Sequence, residues 1–203
     1  VFDPESWVHI PDKLIGDMVI DALDRNPEKP KYIFAATMLN HGPHSGFFLD
    51  NIGCSRSMND QLCSKLNDYI SRLTKTNEDQ MDLIEKLMKR KKKTIIVNFG
   101  DHLPSFEGFS TQLRFTRDIK DYFKTFYNVN ANFDIRDDLN YPELDITFIP
   151  GLILDMAKLN NDPFYKANSL MRKNCNGQIT HCKKDDDKLL ESYKSLIVKQ
   201  LGF

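Results

Sequence analysis

The run Thr94-Ile-Ile-Val-Asn-Phe99, followed by Gly100-Asp101-His102-Leu103-Pro104-Ser105, constrains this chain more than any other stretch. It comes directly after a basic tetrad, Arg90 to Lys93, and is rich in β-branched residues. A short apolar run between turn signals, preceded by a long helical pattern, reads as a buried parallel strand of an α/β sheet. In such sheets ligands gather at the carboxyl ends of the strands. A carboxylate followed directly by an imidazole at that place can give a divalent metal one oxygen and one nitrogen ligand. Asp101 and His102 are therefore expected to form half of a metal site. The competing reading makes Asp101 a helix cap and His102 a histidine satisfied by hydrogen bonds.

A second apolar run, Lys31 to Leu39, ends at Asn40-His41-Gly42-Pro43-His44 and is expected to be another buried strand. Between the two runs the apolar positions Leu62, Leu66, Tyr69, Ile70, Leu73, Met81, Ile84, Leu87 and Met88 recur at helical spacing and read as core, with a polar break at Thr74 to Gln80. Strand, helix and strand in this order make a right-handed parallel crossover. That topology puts His41 and His102 at one edge of the sheet as spatial neighbours. His44 lies in the same loop, where its plain reading is an exposed side chain.

The remaining chain is read in order. Val1 to Ile10 is an irregular lead-in holding the only tryptophan, Trp7. A helix starts at Pro11-Asp12 with Leu14, Ile15, Met18, Val19, Ala22 and Leu23 on one face, and Asn26-Pro27 ends it. Phe106 to Arg117 is a loop, Asp118 to Phe123 a short helix, and Thr125 to Phe133 a more polar strand near a sheet edge. Asp145 to Leu159 reads as a helix with Pro150 and Gly151 in its early part, stopped by Asn160-Asn161-Asp162-Pro163. A charged run, Lys183 to Lys188, precedes a final amphipathic helix from Leu189 to about Leu201. The Lys89–Lys93 run reads most simply as a solvated helix end whose charge suits the helix dipole, with a membrane-surface contact as the alternative. His9 and His181 read as structural or exposed.

At 203 residues the chain is most simply one domain. Its 28 basic and 29 acidic residues leave a net charge of −1, which gives no electrostatic case for nucleic acid. No apolar run approaches the roughly 20 residues needed to cross a bilayer. No signal peptide opens the sequence, and Val1 is not an initiator methionine, so a piece of a longer protein is expected, with any membrane anchor upstream. The cysteines fall into two local pairs, Cys54 with Cys63 and Cys175 with Cys182. They read as two short-loop disulfides, each worth about 2–3 kcal/mol, in an oxidising compartment. Four reduced thiols in a cytosolic protein are the alternative.

Asn40-His41-Gly42-Pro43 and Gly100-Asp101-His102-Leu103-Pro104-Ser105 together resemble the C-terminal half of the sulfatase-like branch of the alkaline phosphatase superfamily. Within that branch the chain looks like bacterial phosphoglycerol and phosphoethanolamine transferases, including lipoteichoic acid synthase. Cys54 and Cys63, then Leu66-Asn-Asp-Tyr69 and Thr76-Asn77, are similar to the cysteine pair and helix that follow the His-Gly-Pro loop of phosphoethanolamine transferases. Phe123 to Asn132 is similar to the family's late strand, and Leu144 to Leu159 to the helix after it.

The resemblance implies an α/β three-layer sandwich with a mostly parallel central sheet, of which residues 1–203 are the C-terminal part of a single sulfatase-like domain. It assigns Asp101 and His102 to a zinc or manganese ion and His41, with His44 in the same loop, to the substrate phosphoryl group. The implied reaction moves a phosphoglycerol or phosphoethanolamine group from a phospholipid donor to a glycan or lipid acceptor of the cell envelope. Its place is the periplasmic or extracellular face of a bacterial inner membrane, reached through an N-terminal anchor. The family's serine or threonine nucleophile belongs on strands before the His-Gly-Pro loop, so this chain alone is expected to be catalytically incomplete. Cys54-Ser-Arg-Ser57 lacks the proline of the sulfatase nucleophile motif. No histidine stands between His102 and His181, which favours a phosphoglycerol-type or divergent member. A sulfatase or phosphodiesterase-type hydrolase, and a binding domain that has lost the site, are the alternatives. Without upstream strands the sheet has an exposed edge, so the isolated piece is expected to self-associate or be marginally stable, which sedimentation and a melting curve would check.

Overall fold

The computed structural model describes residues 10–44, 59–106, 123–136, 138–159, 162–182 and 187–201. They fall into two compact units. One holds residues 1–92 and 98–128, the other 93–97 and 129–203.

In the first unit helix α1, Asp12–Asp24, packs on the long helix α2, Asp60–Met88. Pro11 supplies no side-chain cap to α1. The Lys13 amide instead donates to Asp79 Oδ2 of α2 at 3.0 Å, so one helix caps the other. At the other end the Lys31 ammonium donates to the carbonyls of Ala22 (2.7 Å), Leu23 (2.9 Å) and Arg25. A cation at a helix C-terminus satisfies orphan carbonyls and suits the dipole. Arg90 pairs with Asp24 at 2.8 Å, and Lys86 with Asp82 at 2.7 Å. Asn59 caps α2 by accepting from the Leu62 amide at 2.7 Å.

The faces differ from the expected ones. In α1 the buried positions are Asp12 and Gly16, whereas Leu14 and Met18 are exposed. Helix α2 runs unbroken through Thr74–Gln80. Its buried positions are mostly polar, namely Asn67, Asp68, Ser71, Arg72, Thr76 and Asp79, with Leu62 and Leu87. Leu73 and Met81 of the expected core stripe are exposed. Apolar spacing marked the helix correctly, but the side facing its partners is the polar one, because it receives backbone and carboxylate groups that need answering.

The sheet also differs. Strands β1, Ile95–Phe99, and β2, Tyr127–Ala131, form a two-stranded sheet. The Gly100 amide bonds the Phe126 carbonyl (3.1 Å) and the Asn132 amide the Thr94 carbonyl (3.1 Å). Early positions of one strand therefore face late positions of the other, and the pair is antiparallel. Asn98 and Asn128, opposite each other, share a side-chain bond of 3.1 Å. Lys31–Leu39 is not a strand, and Lys31 to Thr37 are exposed, Tyr32 by 85%. Aromatic and β-branched content favours a strand only where a neighbour supplies the ladder, and the sheet among the described residues contains only β1 and β2. The expected parallel crossover is accordingly not formed among these residues.

The second unit is helical. A 3-10 turn, Ile146–Phe148, leads into α3, Ile149–Met156, with Pro150 and Gly151 in its first turn as expected. Asp162 caps α4, Pro163–Asn174, by accepting from Phe164 and Tyr165 amides at 2.8 and 3.3 Å. This helix was missed, although Asp-Pro is an N-cap followed by proline at the first helical position. The last helix, α5, spans Asp187–Leu201. Phe148, Met171, Cys175 and Tyr193 form the core. Cys175 and Cys182 are disulfide-bonded, with Cα atoms 4.0 Å apart. Cys63 is also disulfide-bonded, whereas Cys54 lies outside the described residues, as do Trp7, His9 and 107–122.

Two glycines differ in what they allow. A Cβ on Gly151 would lie 2.1 Å from Asn168 Oδ1, next to buried Arg172. A Cβ on Gly16 would first meet Leu83, at an ordinary 3.6 Å. Gly151→Ala is expected to lower stability by about 1–3 kcal/mol through overpacking. Gly16→Ala should raise it by about 0.5–1 kcal/mol as a helix-interior glycine is removed. Denaturant unfolding checks both, and equal effects of the two substitutions would contradict the packing described.

Candidate functional site

The loop that carries His41 lies on α2 in the first unit. Arg72 and Asp68 stand one helical turn apart, both with 0% side-chain exposure, and pair at 2.8 Å through Nη2 and Oδ2. Arg72 Nη1 also donates to the carbonyls of Leu39 and His41, and Nη2 to that of Pro43, each at 3.2 Å. One turn further on, Thr76 Oγ1 accepts from Asn40 Nδ2 at 3.0 Å and donates to Asp12 Oδ2 at 2.7 Å. Burial pushes the Asp12 carboxyl above its ordinary range, although the Thr76 bond opposes the shift. Arg72 and Thr76 thus hold Leu39, Asn40, His41 and Pro43 of the loop, with Asp68 bracing Arg72, and the Gly42–Pro43 peptide among them is cis.

His41 itself is exposed, and its Nδ1 is 2.7 Å from the Gly42 carbonyl. With Nδ1–H donating there, the ring carries its lone pair on Nε2. His44, expected to be exposed, is buried. Its Nδ1 is 3.7 Å from Asp68 Oδ2, too far for a direct hydrogen bond. Its ring packs edge-on against Tyr69 (5.3 Å) and Phe106 (5.2 Å). Burial, reinforced by the Arg72 charge, holds its pKa below the ordinary 6.5 despite Asp68. The exposure expected of His44 was wrong because the plain reading of a loop histidine did not include the buried ion pair under that loop.

Asp101 and His102 follow β1. Gly100 is needed where the chain turns, since a Cβ there would lie 3.0 Å from Thr125 Cβ, and the Thr125 hydroxyl donates to the Gly100 carbonyl at 2.6 Å. Asp101 Oδ1 accepts the His102 amide at 2.8 Å, and His102 Nδ1 lies 2.8 Å from the Leu103 carbonyl. Those bonds leave Asp101 Oδ2 and His102 Nε2 facing each other at 3.5 Å on side chains 78% and 50% exposed. Two donors at this separation can be neighbours on one cation with bonds of about 2.0–2.2 Å. The bond from Nδ1–H to a carbonyl is the outer-shell arrangement that fixes an imidazole for ligation through Nε2. The pair therefore fits half of a coordination shell. Among the described residues no group of three or more His, Cys, Asp or Glu could hold a metal.

The two motifs approach each other through His44 and Phe106, which come shortly after His41 and His102 in their segments. Tyr69 of α2 completes the aromatic trio, 6.4 Å from Phe106. The sequence reading places Asp68 and Thr76 only within the family-like helix segments, with no role, and does not single out Arg72. Their spacing of four was the available signal, masked by the apolar stripe of the same helix.

His44 makes stability depend on pH. The unfolded chain binds the proton near 6.5 while the folded chain resists it, so stability is full above 6.5 and falls as pH drops below that value toward the lowered pKa. Denaturant midpoints measured at pH 7.5 and 5 should fall less in His44→Asn than in the wild type. An unchanged pH slope in the variant would refute this.

Among known proteins, the chain is 27% identical over 185 residues to an uncharacterized protein of Haemophilus influenzae, which covers 87% of this chain and 32% of the relative. The Streptococcus pyogenes phosphoglycerol transferase GacH, solved in complex with sn-glycerol-1-phosphate, has the same fold over 90% of this chain and 46% of its own, with a TM-score of 0.71 and 19% identity. The chain thus spans less than half the length of either. The family model for Sulfatase matches residues 4–193. This α/β chain, with its His41 loop and its Asp101-His102 couple, belongs to the Sulfatase family.

Proposed function

We propose that the chain is part of a metal-dependent phosphotransferase, the C-terminal part of one sulfatase-like domain whose mostly parallel three-layer sheet is completed elsewhere in the protein. In this reading it moves a phosphoglycerol or phosphoethanolamine group from a lipid donor to a cell-envelope glycan or lipid. The observation that carries the reading is the common pose of the two rings. His41 and His102 each have Nδ1 against a main-chain carbonyl, which presents Nε2, with Asp101 Oδ2 beside the second ring. The sn-glycerol-1-phosphate bound to GacH supports a phosphoglycerol unit as the group transferred. The disulfides support a compartment outside the cytoplasm.

Asp101 and His102 would hold a zinc or manganese ion through Oδ2 and Nε2. A bound divalent ion lowers the pKa of a hydroxyl nucleophile and neutralises charge on phosphoryl oxygens. His41 contacts the phosphoryl group. As an imidazolium, with Nδ1–H on the Gly42 carbonyl and a second proton on Nε2, it would donate to a phosphoryl oxygen and stabilise the charge that grows there. His44 is buried under the loop and supports this contact from behind. The second reading, a hydrolase of sulfate or phosphate esters, is favoured by the family match and uses the same residues with water as acceptor.

In the full-length protein Asp101→Ala should weaken zinc or manganese binding by more than the about 10–100-fold that loss of an outer-shell partner costs. Turnover should fall in parallel. His41→Gln should lower turnover and leave metal affinity intact. Calorimetric titration and a phosphodiester assay separate these effects, and unchanged turnover in Asp101→Ala would remove the catalytic reading.

A further inference from the structure

Neither motif contains Arg72, yet three carbonyls of the His41 loop converge on it. We propose that Arg72 is a positioning residue that sets the His41 ring, an inference that rests on the reading of His41 as the phosphoryl contact. The carbonyls it binds belong to alternate residues, Leu39, His41 and Pro43. The carbonyl that receives the His41 Nδ1–H is that of Gly42, which lies between two of them. The guanidinium thereby orients the acceptor that orients the ring.

Asp68 fixes the guanidinium from its other side at 2.8 Å, without solvent access to either side chain. Thr76 ties the Asn40 amide, so the residue before His41 is held as well. The planar fork of arginine can serve several carbonyls and a carboxylate at once, whereas an ammonium is a point donor on a flexible stem. Lysine at this position retains the charge opposite Asp68 but releases at least part of the loop.

The test uses the full-length protein with 15N-labelled histidine, His41→Gln identifying the ring resonances, and bis(p-nitrophenyl) phosphate as the turnover probe. In the wild type the neutral form of the His41 ring should show one fixed tautomer with the proton on Nδ1. In Arg72→Lys the two ring nitrogens should average, while melting remains cooperative. Turnover should fall about 100-fold, the loss a misplacement of about 1 Å produces, and the fall should lie in kcat with KM little changed. Should Arg72→Lys not fold, Thr76→Val removes only the Asn40 tether and should move the same resonances in the same direction by less. A folded variant whose His41 keeps its tautomer overturns the proposal. Averaging of the ring combined with full turnover in His41→Gln supports positioning and removes the phosphoryl-contact reading instead.

Discussion

A guanidinium without solvent access must have both its charge and its donors answered by the protein, and Arg72 organises the first unit around that requirement. Asp68 answers the charge from the preceding turn of α2, and the Leu39, His41 and Pro43 carbonyls accept from Nη1 and Nη2. Removing one partner of a buried pair costs about 3–5 kcal/mol, because the other charge is left stranded. That is a large part of the about 5–15 kcal/mol that holds a typical domain together. The His41 loop is therefore bound to the folding of α2 itself, and so is the buried His44 beside it.

The second unit uses the same device at another place. Arg172 is fully buried, bonded to Asp155, and set over the Tyr141 ring at 5.5 Å. Ser169 Oγ donates to the same Asp155 oxygen at 2.5 Å. Asn168 donates to the Thr147 carbonyl and to the Tyr193 hydroxyl, at 3.1 and 2.7 Å. These bonds join the start of α3 to α4 and α5, leaving no room for a side chain at Gly151. Among the described residues each unit thus has a fully buried arginine paired with a carboxylate. Such pairs add little net stability over an apolar replacement, but they tolerate few alternative arrangements.

Much of the helical layout was legible because it rests on local signals. Although the cap at Asp162-Pro163 reads in the sequence as a stop, the Pro11-Asp12 start, the apolar spacing from Leu62 to Met88 and the Pro150-Gly151 step mark helices by chemistry that acts within a few residues. The strand at Ile95–Phe99 was legible for the same reason. Its partner and direction were not, since pairing depends on residues far along the chain. Lys31–Leu39 shows the limit clearly, for its side chains favour a strand but its state depends on what lies beside it. In the site, the two motifs could be read from residue types. The buried Asp68–Arg72–Thr76 stripe could not, because charged residues at helical spacing are usually on a solvated face. Only the three-dimensional position of the His41 loop explains why these are inside.

The two histidines of the proposed site share an anchor, Nδ1 against a main-chain carbonyl, but differ in how firmly they are held, and the difference follows their proposed tasks. His102 is anchored by its neighbour's carbonyl and stands beside a largely exposed Asp101. A cation bound by both would itself order them, since its bonds fix the separation of Oδ2 and Nε2. A contact to a phosphoryl oxygen has no comparable ordering force of its own. Its value depends on a dipole or charge already aimed at the place where charge develops, before the reaction reaches that point. The His41 ring has that preparation in its anchor to Gly42, in the carbonyls on either side held by Arg72, and in the Asp68 carboxylate behind them. A scaffold that stiffens the proposed phosphoryl contact and leaves the proposed ligand couple lightly tethered places its rigidity where a bound metal would not supply it.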